Sequence, residues 1–476
     1  MLPMQLQGDP SGEKIRARQE PRPAGKAGRT GKIFFAALVI LLFGFCMQAQ
    51  QRFPPPEFES GHQIPVTAAP AARGLWFQYQ DVVVLMATLA LSSWLVYQRR
   101  SRKSLIALSI FSLAYFGFYR KGCICAIGSV QNAALALCDS SYALPASVLV
   151  FFLLPLVFTL FLGRTFCAAV CPHGALQDLL LLKPLKVPEF LEQGLSVLPF
   201  VYLGAGVLFA GAGSAFVICQ YDPFVPVFRM SGRTLMVLSG IALLVLAVFI
   251  GRPYCRFLCP YGALLKLAAT LAKRRVRVTP DHCTQCRLCE ASCPFGALRE
   301  PQEPQADLAD LRKDRRRLVR LLGLLPVLVL SGGFLGTRIS TTASRMHPTV
   351  SLAERFLATH DEPPKTGVLS PDDLALDRAR QHPEQILEEA RALQRKFSTG
   401  AWLFGAWIGA VVGIKLVSLS LHRRRKDYEP SQGECLACAR CFEFCPNEMV
   451  RRGISLTSTQ NETDVATIPG TLAEGR

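Results

Sequence analysis

A net charge of +18 on 476 residues invites a nucleic-acid reading, but half the residues are hydrophobic and fall in long runs that the basic clusters flank. That arrangement excludes a basic nucleic-acid-binding surface and an ordinary soluble multidomain chain, and predicts membrane-spanning helices bordered by topology-setting charge. Seventeen cysteines would suggest disulfides in a secreted protein, yet eight of them stand in metal-ligand spacings that belong in a reducing compartment.

Residues 1–32 are polar, basic and contain Gly and Pro, which predicts a disordered tail without a cleavable signal. Apolar runs at 33–47, 82–97, 105–119, 145–162, 195–218, 235–250, 318–335 and 401–421 then predict a membrane all-α fold of about eight transmembrane helices. Arg99, Arg100, Arg102 and Lys103, then Lys183 and Lys186, and the runs KRRVR, RKDRRRLVR and HRRRK fall on one side. The positive-inside bias makes that side the cytoplasm and puts both termini there, although Arg120, Lys121, Arg229 and Arg233 fall outside. The domain plan is three helices over 33–118 with an outward proline-rich loop at 49–80, and a transmembrane core over 119–275. A helix pair follows over 318–421, with an outward loop at 336–397, and a second disordered tail over 454–476. Neither outward loop carries a CxxCH haem site or a nucleotide-binding glycine loop.

The core contains a repeat. LFLGRTFCAAVCPHGALQDLL from Leu160 matches VFIGRPYCRFLCPYGALLKLA from Val248, pairing Gly163–Arg164 with Gly251–Arg252, Cys167 with Cys255 and Cys171 with Cys259 at one constant offset. Two CxxxCP pairs supply four thiolates, a full ligand set for a further iron–sulfur cluster; the alternative is cysteines that merely pack at helix ends. A fainter copy, GCICAIGSVQNAAL from Gly122, aligns Cys125, Gly128 and Gln131 with Cys171, Gly174 and Gln177. By the predicted topology Cys123, Cys125, Cys138 and Cys219 lie at the outer ends of helices, a speculative outer cluster set whose alternatives are packing cysteines or a disulfide. His173 follows the first CxxxCP but is matched by Tyr261 in the second copy, which argues against a ligand role; His282 reads as a loop residue. No catalytic triad or carboxylate pair is evident.

CTQCRLCEASCP from Cys283 and CLACARCFEFCP from Cys435 each have the C-x2-C-x2-C-x3-C-P spacing of a bacterial ferredoxin [4Fe–4S] site. Structural zinc is the competing use of such cysteines, but it favours two CxxC pairs. In two-cluster ferredoxins the fourth cysteine serves the other cube. The expected sets are therefore Cys283, Cys286, Cys289 with Cys445, and Cys435, Cys438, Cys441 with Cys293. The motifs, at 276–300 and 427–453, are separated by two predicted crossings, so both face the cytoplasm and are expected to form one small ferredoxin-like (α+β) two-cluster module.

The GR-x-x-C-x3-CP-x-GA repeats followed by ferredoxin motifs resemble the membrane polyferredoxins of the NosR/NapH type, over residues 122–446. The resemblance implies a multi-pass protein of the bacterial inner membrane that passes electrons between a cytoplasmic donor or the quinone pool and a membrane or periplasmic acceptor. It implies lipid, redox proteins and possible quinone as partners, with no nucleic acid, and an electron-transfer component rather than a stand-alone enzyme. NosR itself has a large periplasmic flavin-binding domain; this chain has only the 49–80 loop there, so flavin is not expected. Alternative readings are a redox-sensing maturation or regulatory protein for a periplasmic metalloenzyme, and a membrane copper reductase in oxidase assembly.

Overall fold

The computed structural model describes residues 74–122, 126–278, 283–301, 308–359, 380–420 and 427–453, with residues 376 and 425 singly. The apolar run at 33–47, both predicted tails, Cys123, Cys125 and His282 lie outside the described residues.

The described chain is mostly helical. Helix α1 (Leu75–Trp94) continues as a π-helical turn to Arg99, and α2 (Arg102–Ser112), whose first turn Ser101 caps, continues likewise through Leu113–Tyr119. Then come α3 (Ala126–Cys138), α4 (Ala146–Leu162), the short α5 (Pro172–Leu179), α6 (Leu198–Gly211), α7 (Thr234–Phe249) and α8 (Pro260–Thr270). Two long helices, α9 (Leu308–Ser344) and α11 (Pro383–Ser420), flank the short α10 (Pro348–Ala358).

Four helical segments are long and apolar enough to cross a bilayer: Trp76–Arg99, Glu189–Gly211, Asp314–Ser344 and Pro383–Ser420. These carry the predicted runs at 82–97, 195–218, 318–335 and 401–421. The runs at 145–162 and 235–250 form the shorter apolar helices α4 and α7. α3, which covers most of the faint repeat copy and none of the predicted spans, is a third short apolar helix.

The chain after α6 departs from expectation. The apolar pattern makes residues 214–230 the outer end of a span and its loop, but they turn back alongside α6. Ile218 packs against Gly206, and its carbonyl accepts from the Tyr202 hydroxyl at 3.4 Å. The glycine is what permits this approach, because a Cβ at 206 would collide with the Ile218 side chain. Two short helices, Val217–Tyr221 and Phe224–Arg229, then carry Asp222 and Phe228 into the protein interior.

α9 and α11 form a close hairpin through Gly332 and Gly336 on one helix and Gly405, Gly409 and Gly413 on the other. Small residues four apart line up on one helix face and let backbones touch, the usual device where lipid removes any hydrophobic drive for helix pairing. Beyond α11 the chain reaches β2 (Glu429–Pro430), which pairs antiparallel with β1 (Leu298–Arg299) in the register Leu298↔Pro430. Ser431 donates its N–H to the Ala297 carbonyl at 2.7 Å, and Arg299 pairs with Glu434 at 2.7 Å. Two sequence-distant cysteine loops are thereby zipped into one small α+β unit.

That unit is anchored to the helices by a buried carboxylate. Glu448 is fully buried and accepts from Arg100 at 2.8 Å, Arg451 at 2.8 Å and Arg452 at 3.0 Å, while Arg452 also bonds the Arg100 carbonyl. Arg100 closes the π-helical turn at the end of α1, so one side chain ties the C-terminal loop to a helix long and apolar enough to span a bilayer. Glu448→Gln keeps the shape but removes the charge. It is expected to weaken this docking by roughly 2 kcal/mol, the scale of a hydrogen bond to a charged group. Limited proteolysis after Arg451 should then become faster; unchanged cleavage would show that the anchor lies elsewhere.

Candidate functional site

In the two ferredoxin loops the backbone matches position by position. Gln285 and Arg287 flank Cys286 with φ of 53° and 62°; Ala437 and Ala439 flank Cys438 with φ of 53° and 62°. Left-handed conformations at non-glycine residues are uncommon and concentrate at functional sites. Alternating right- and left-handed residues aim successive N–H groups into a concavity that receives anions, including iron–sulfur clusters. Each loop therefore has the curvature of a cradle, and the cysteines sit on its rim.

The cysteines are grouped across the two motifs. Cys435, Cys438 and Cys441 line one cavity together with Cys293 of the other motif. Cys445 packs in an apolar core that also holds Cys289, with Cys283, Cys293 and Cys441 against it. Burial, then the neighbouring charges of Cys283, Cys286 and Cys445, pushes the Cys289 thiol up to about 11. Burial likewise raises Cys435 to about 12, with Cys438 and Cys293 adding to it. Thiols this reluctant to ionise need a cation to displace their protons, which is what iron binding does. Among the described residues no three His, Cys, Asp or Glu side chains converge tightly enough for a single metal ion. Four thiolates on zinc would sit about 3.8 Å apart, given Zn–S bonds of about 2.3 Å.

The CxxxCP repeats build a second kind of site. In each copy an apolar helix, α4 or α7, ends in a glycine-containing turn; a short helical turn holds the first cysteine, and the second caps a new helix that starts with proline. Proline at the first helical position has no N–H to waste and is preset for the helix. Cys259 illustrates the result, its sulfur accepting the Gly262 N–H at 3.2 Å. A Cβ on Gly262 would stand 3.5 Å from that sulfur and 3.2 Å from the Cys255 carbonyl, so glycine keeps the backbone against the site. Cys167, Cys171, Cys255 and Cys259 are all buried. Gln177 links the copies: its Oε1 accepts the Tyr254 N–H at 3.0 Å and its Nε2 lies 3.4 Å from the Cys255 sulfur.

This site abuts the second ferredoxin loop. Ala168 and Ala169, between the first pair of cysteines, share a buried core with Ala437 and Ala439. Gly163 and Arg164 line the same cavity as Cys435. Arg164 spans the junction, with Nη2 3.7 Å from the Cys167 sulfur and Nη1 3.0 Å from the Gly433 carbonyl. Its repeat partner Arg252 is wholly buried and bonds the Cys167 and Ala168 carbonyls. Burial alone would raise the Asp178 carboxyl, but Arg252, Arg102 and Arg440 overcome it and hold it at about 2. The repeat alignment paired the two arginines without giving them a role; Asp178 carried no signal in sequence.

His173 is buried in an aromatic box. Its ring stacks on Tyr254 at 5.8 Å, meets Phe224 and Phe228 edge-on at 5.2 Å, and its Nε2 faces Asp222 at 3.4 Å. Tyr254 also donates to Asp222 at 3.1 Å. The re-entrant segment thus touches the CxxxCP site, a contact that the predicted outward loop did not anticipate.

Of the proposed outer set, Cys123 and Cys125 lie outside the described residues, and Cys138 and Cys219 lie apart. Cys219 lies against Gly128 in the first turn of α3, and Cys138, at the end of that helix, lies against Gly211. Ten helical residues separate those points by about 15 Å at 1.5 Å each. Cys219 does repeat one feature of the other sites: its N–H is accepted at 3.0 Å by Gln131, the residue aligned with Gln177.

A family described as a 4Fe-4S binding domain matches residues 144–187 and 233–279, the two CxxxCP copies, and a second 4Fe-4S binding domain family matches 276–299, the first ferredoxin motif. The chain is 30% identical over 190 residues to the uncharacterized protein MJ0750 of Methanocaldococcus jannaschii, covering 38% of this chain and 77% of that protein. It is 31% identical over 157 residues to YccM of Escherichia coli, which is named for electron transport, covering 29% of this chain and 43% of YccM. It is 28% identical over 275 residues to the regulatory protein NosR of Pseudomonas aeruginosa, covering 52% of this chain and 38% of NosR. No solved structure matches.

Proposed function

As this chain belongs to the NosR/NapH-type membrane polyferredoxins, we propose that it relays electrons through three iron–sulfur centres, from the edge of its ferredoxin-like unit to a centre buried in its transmembrane core. It is a membrane iron–sulfur protein of electron transport; the three-centre path and its ends are the reading offered here. A bound cluster gains or loses one electron at a potential set by charge, hydrogen bonding and exposure. The ligand sets are Cys283, Cys286, Cys289 with Cys445; Cys435, Cys438, Cys441 with Cys293; and Cys167, Cys171, Cys255 with Cys259.

The observation that supports this reading is a difference in exposure between adjoining sites. The first set holds the exposed Cys286 and the half-buried Cys283 beside the buried Cys289 and Cys445; in the second, Cys435, Cys441 and Cys293 are half-buried and Cys438 is buried; all four CxxxCP cysteines are buried. The first set is the contact point for a soluble redox protein, the third the exchange point with a partner in or across the membrane. Quinone is one such partner, in keeping with the family. Both termini and the ferredoxin unit face the cytoplasm of a bacterial inner membrane, with the segments at 33–47 and 105–119 and helices α4 and α7 completing eight crossings. The units 276–300 and 427–453 act as one module.

Single replacement of Cys167 or of Cys259 by serine tests the shared third centre. Both variants should lose the same spectroscopic signal in anaerobically purified protein and keep the other two. Two different signals, each lost in one variant only, would show that each repeat holds its own centre. A regulatory role finds support in the name of NosR, and a mutant locked without the third centre that still activates a periplasmic enzyme would favour it.

A further inference from the structure

Between the CxxxCP site and the second ferredoxin site lies a buried group of charges. Asp178, on α5, is 5% exposed. Three guanidinium groups surround it: Arg102 from the start of α2, Arg252 from the second repeat at 3.2 Å, and Arg440, which stands between Cys438 and Cys441, at 3.6 Å. The far sides of these arginines touch both sites. Arg252 donates to the carbonyls of Cys167 and Ala168, and Arg102 donates to the Cys438 carbonyl at 3.1 Å. Three positive charges around one carboxylate leave an excess of two, in a place where an uncompensated charge is strongly disfavoured. Negatively charged clusters on either side would offset that excess, and each would feel it most strongly when reduced.

We propose that the Asp178 ion group is the electrostatic coupling between the two centres: its arginines favour the reduced state of both, and Asp178 limits that effect so the two potentials stay matched. The proposal rests on the relay reading above. Asp178, Arg102, Arg252 and Arg440 are positioning residues that touch loop backbone and act on electron affinity through charge. The hydrogen bonds and ion pairs described for these four residues go to the other two sites, so the Cys283 centre should respond least.

Redox titration of the full-length protein in detergent, followed by electron paramagnetic resonance, tests this. Asp178→Asn removes a negative charge, so the potentials of the CxxxCP and Cys435 centres should both shift positive. Arg440→Gln, at a partly exposed position, removes a positive charge and should shift both negative. The Cys283 centre should shift least, with iron and labile sulfide unchanged in both variants. Opposite signs are a signature that loosened packing cannot produce. Shifts of the same sign, or no shift with clusters intact, overturn the proposal while leaving the relay reading in place. Should Asp178→Asn fail to fold, the Arg440→Gln shift decides alone. Wild-type protein with no signal dependent on Cys167 overturns the relay reading, and this proposal with it.

Discussion

Cys445→Ser protein is expected to lose the centre of Cys283, Cys286 and Cys289 while retaining the centre built on its own motif. Cys445 is 7% exposed and packs in the core that holds Cys289, whereas the cavity of Cys435, Cys438 and Cys441 is completed by Cys293. With three [4Fe–4S] centres the iron content would fall by about four atoms from about twelve. The reciprocal variant, Cys293→Ser, should strip the Cys435 centre. Iron analysis with electron paramagnetic resonance distinguishes the cases, and loss of the Cys435 signal in Cys445→Ser protein would mean that each loop supplies its own fourth ligand.

The second large effect is expected in the helical hairpin. A Cβ on Gly405 would fall on the Gly332 carbonyl, and one on Gly409 on the Leu328 carbonyl, so no side chain fits without parting the helices. Gly405→Leu should therefore disrupt α9–α11 packing by well over the roughly 1–3 kcal/mol of ordinary overpacking. Because α11 delivers the second cysteine loop to the first, both ferredoxin centres should be lost together. Gly323→Leu is the control, since nothing lies within 4 Å of a Cβ there. Equal cluster content in the two variants would show that the hairpin does not position the loops.

Periodic or covalently constrained features could be read in the sequence. Ferredoxin spacing and the Cys167/Cys255 repeat specify ligands through local geometry, and long apolar runs such as 318–335 announce spans through composition alone. Polar residues acting at a distance could not be read in this way. Asp178 looks like an ordinary residue on a short amphipathic helix until Arg102 and Arg440, far away in the chain, are brought to it. Residues 214–230 carry Asp222, Pro223, Pro226 and Arg229 as a loop would, and it takes distant contacts, Ile218 on Gly206 and Tyr254 on Asp222, to turn them inward. The same folding back separates Cys219 from Cys138, which topology alone had placed together. Charge bias counts sides of a membrane and is blind to depth.

The pairing of Leu298 with Pro430 also orders events in time. A ribosome releases the first cysteine loop well before the second, and between them comes a helical hairpin that must enter the bilayer. Until that hairpin has inserted and the last loop has returned, the first loop lacks its strand partner. On the proposed ligand sets neither ferredoxin centre has its four cysteines until the last loop is made, so iron loading is expected only at the end of synthesis, and a chain that stalls or misinserts midway is expected to lack both centres.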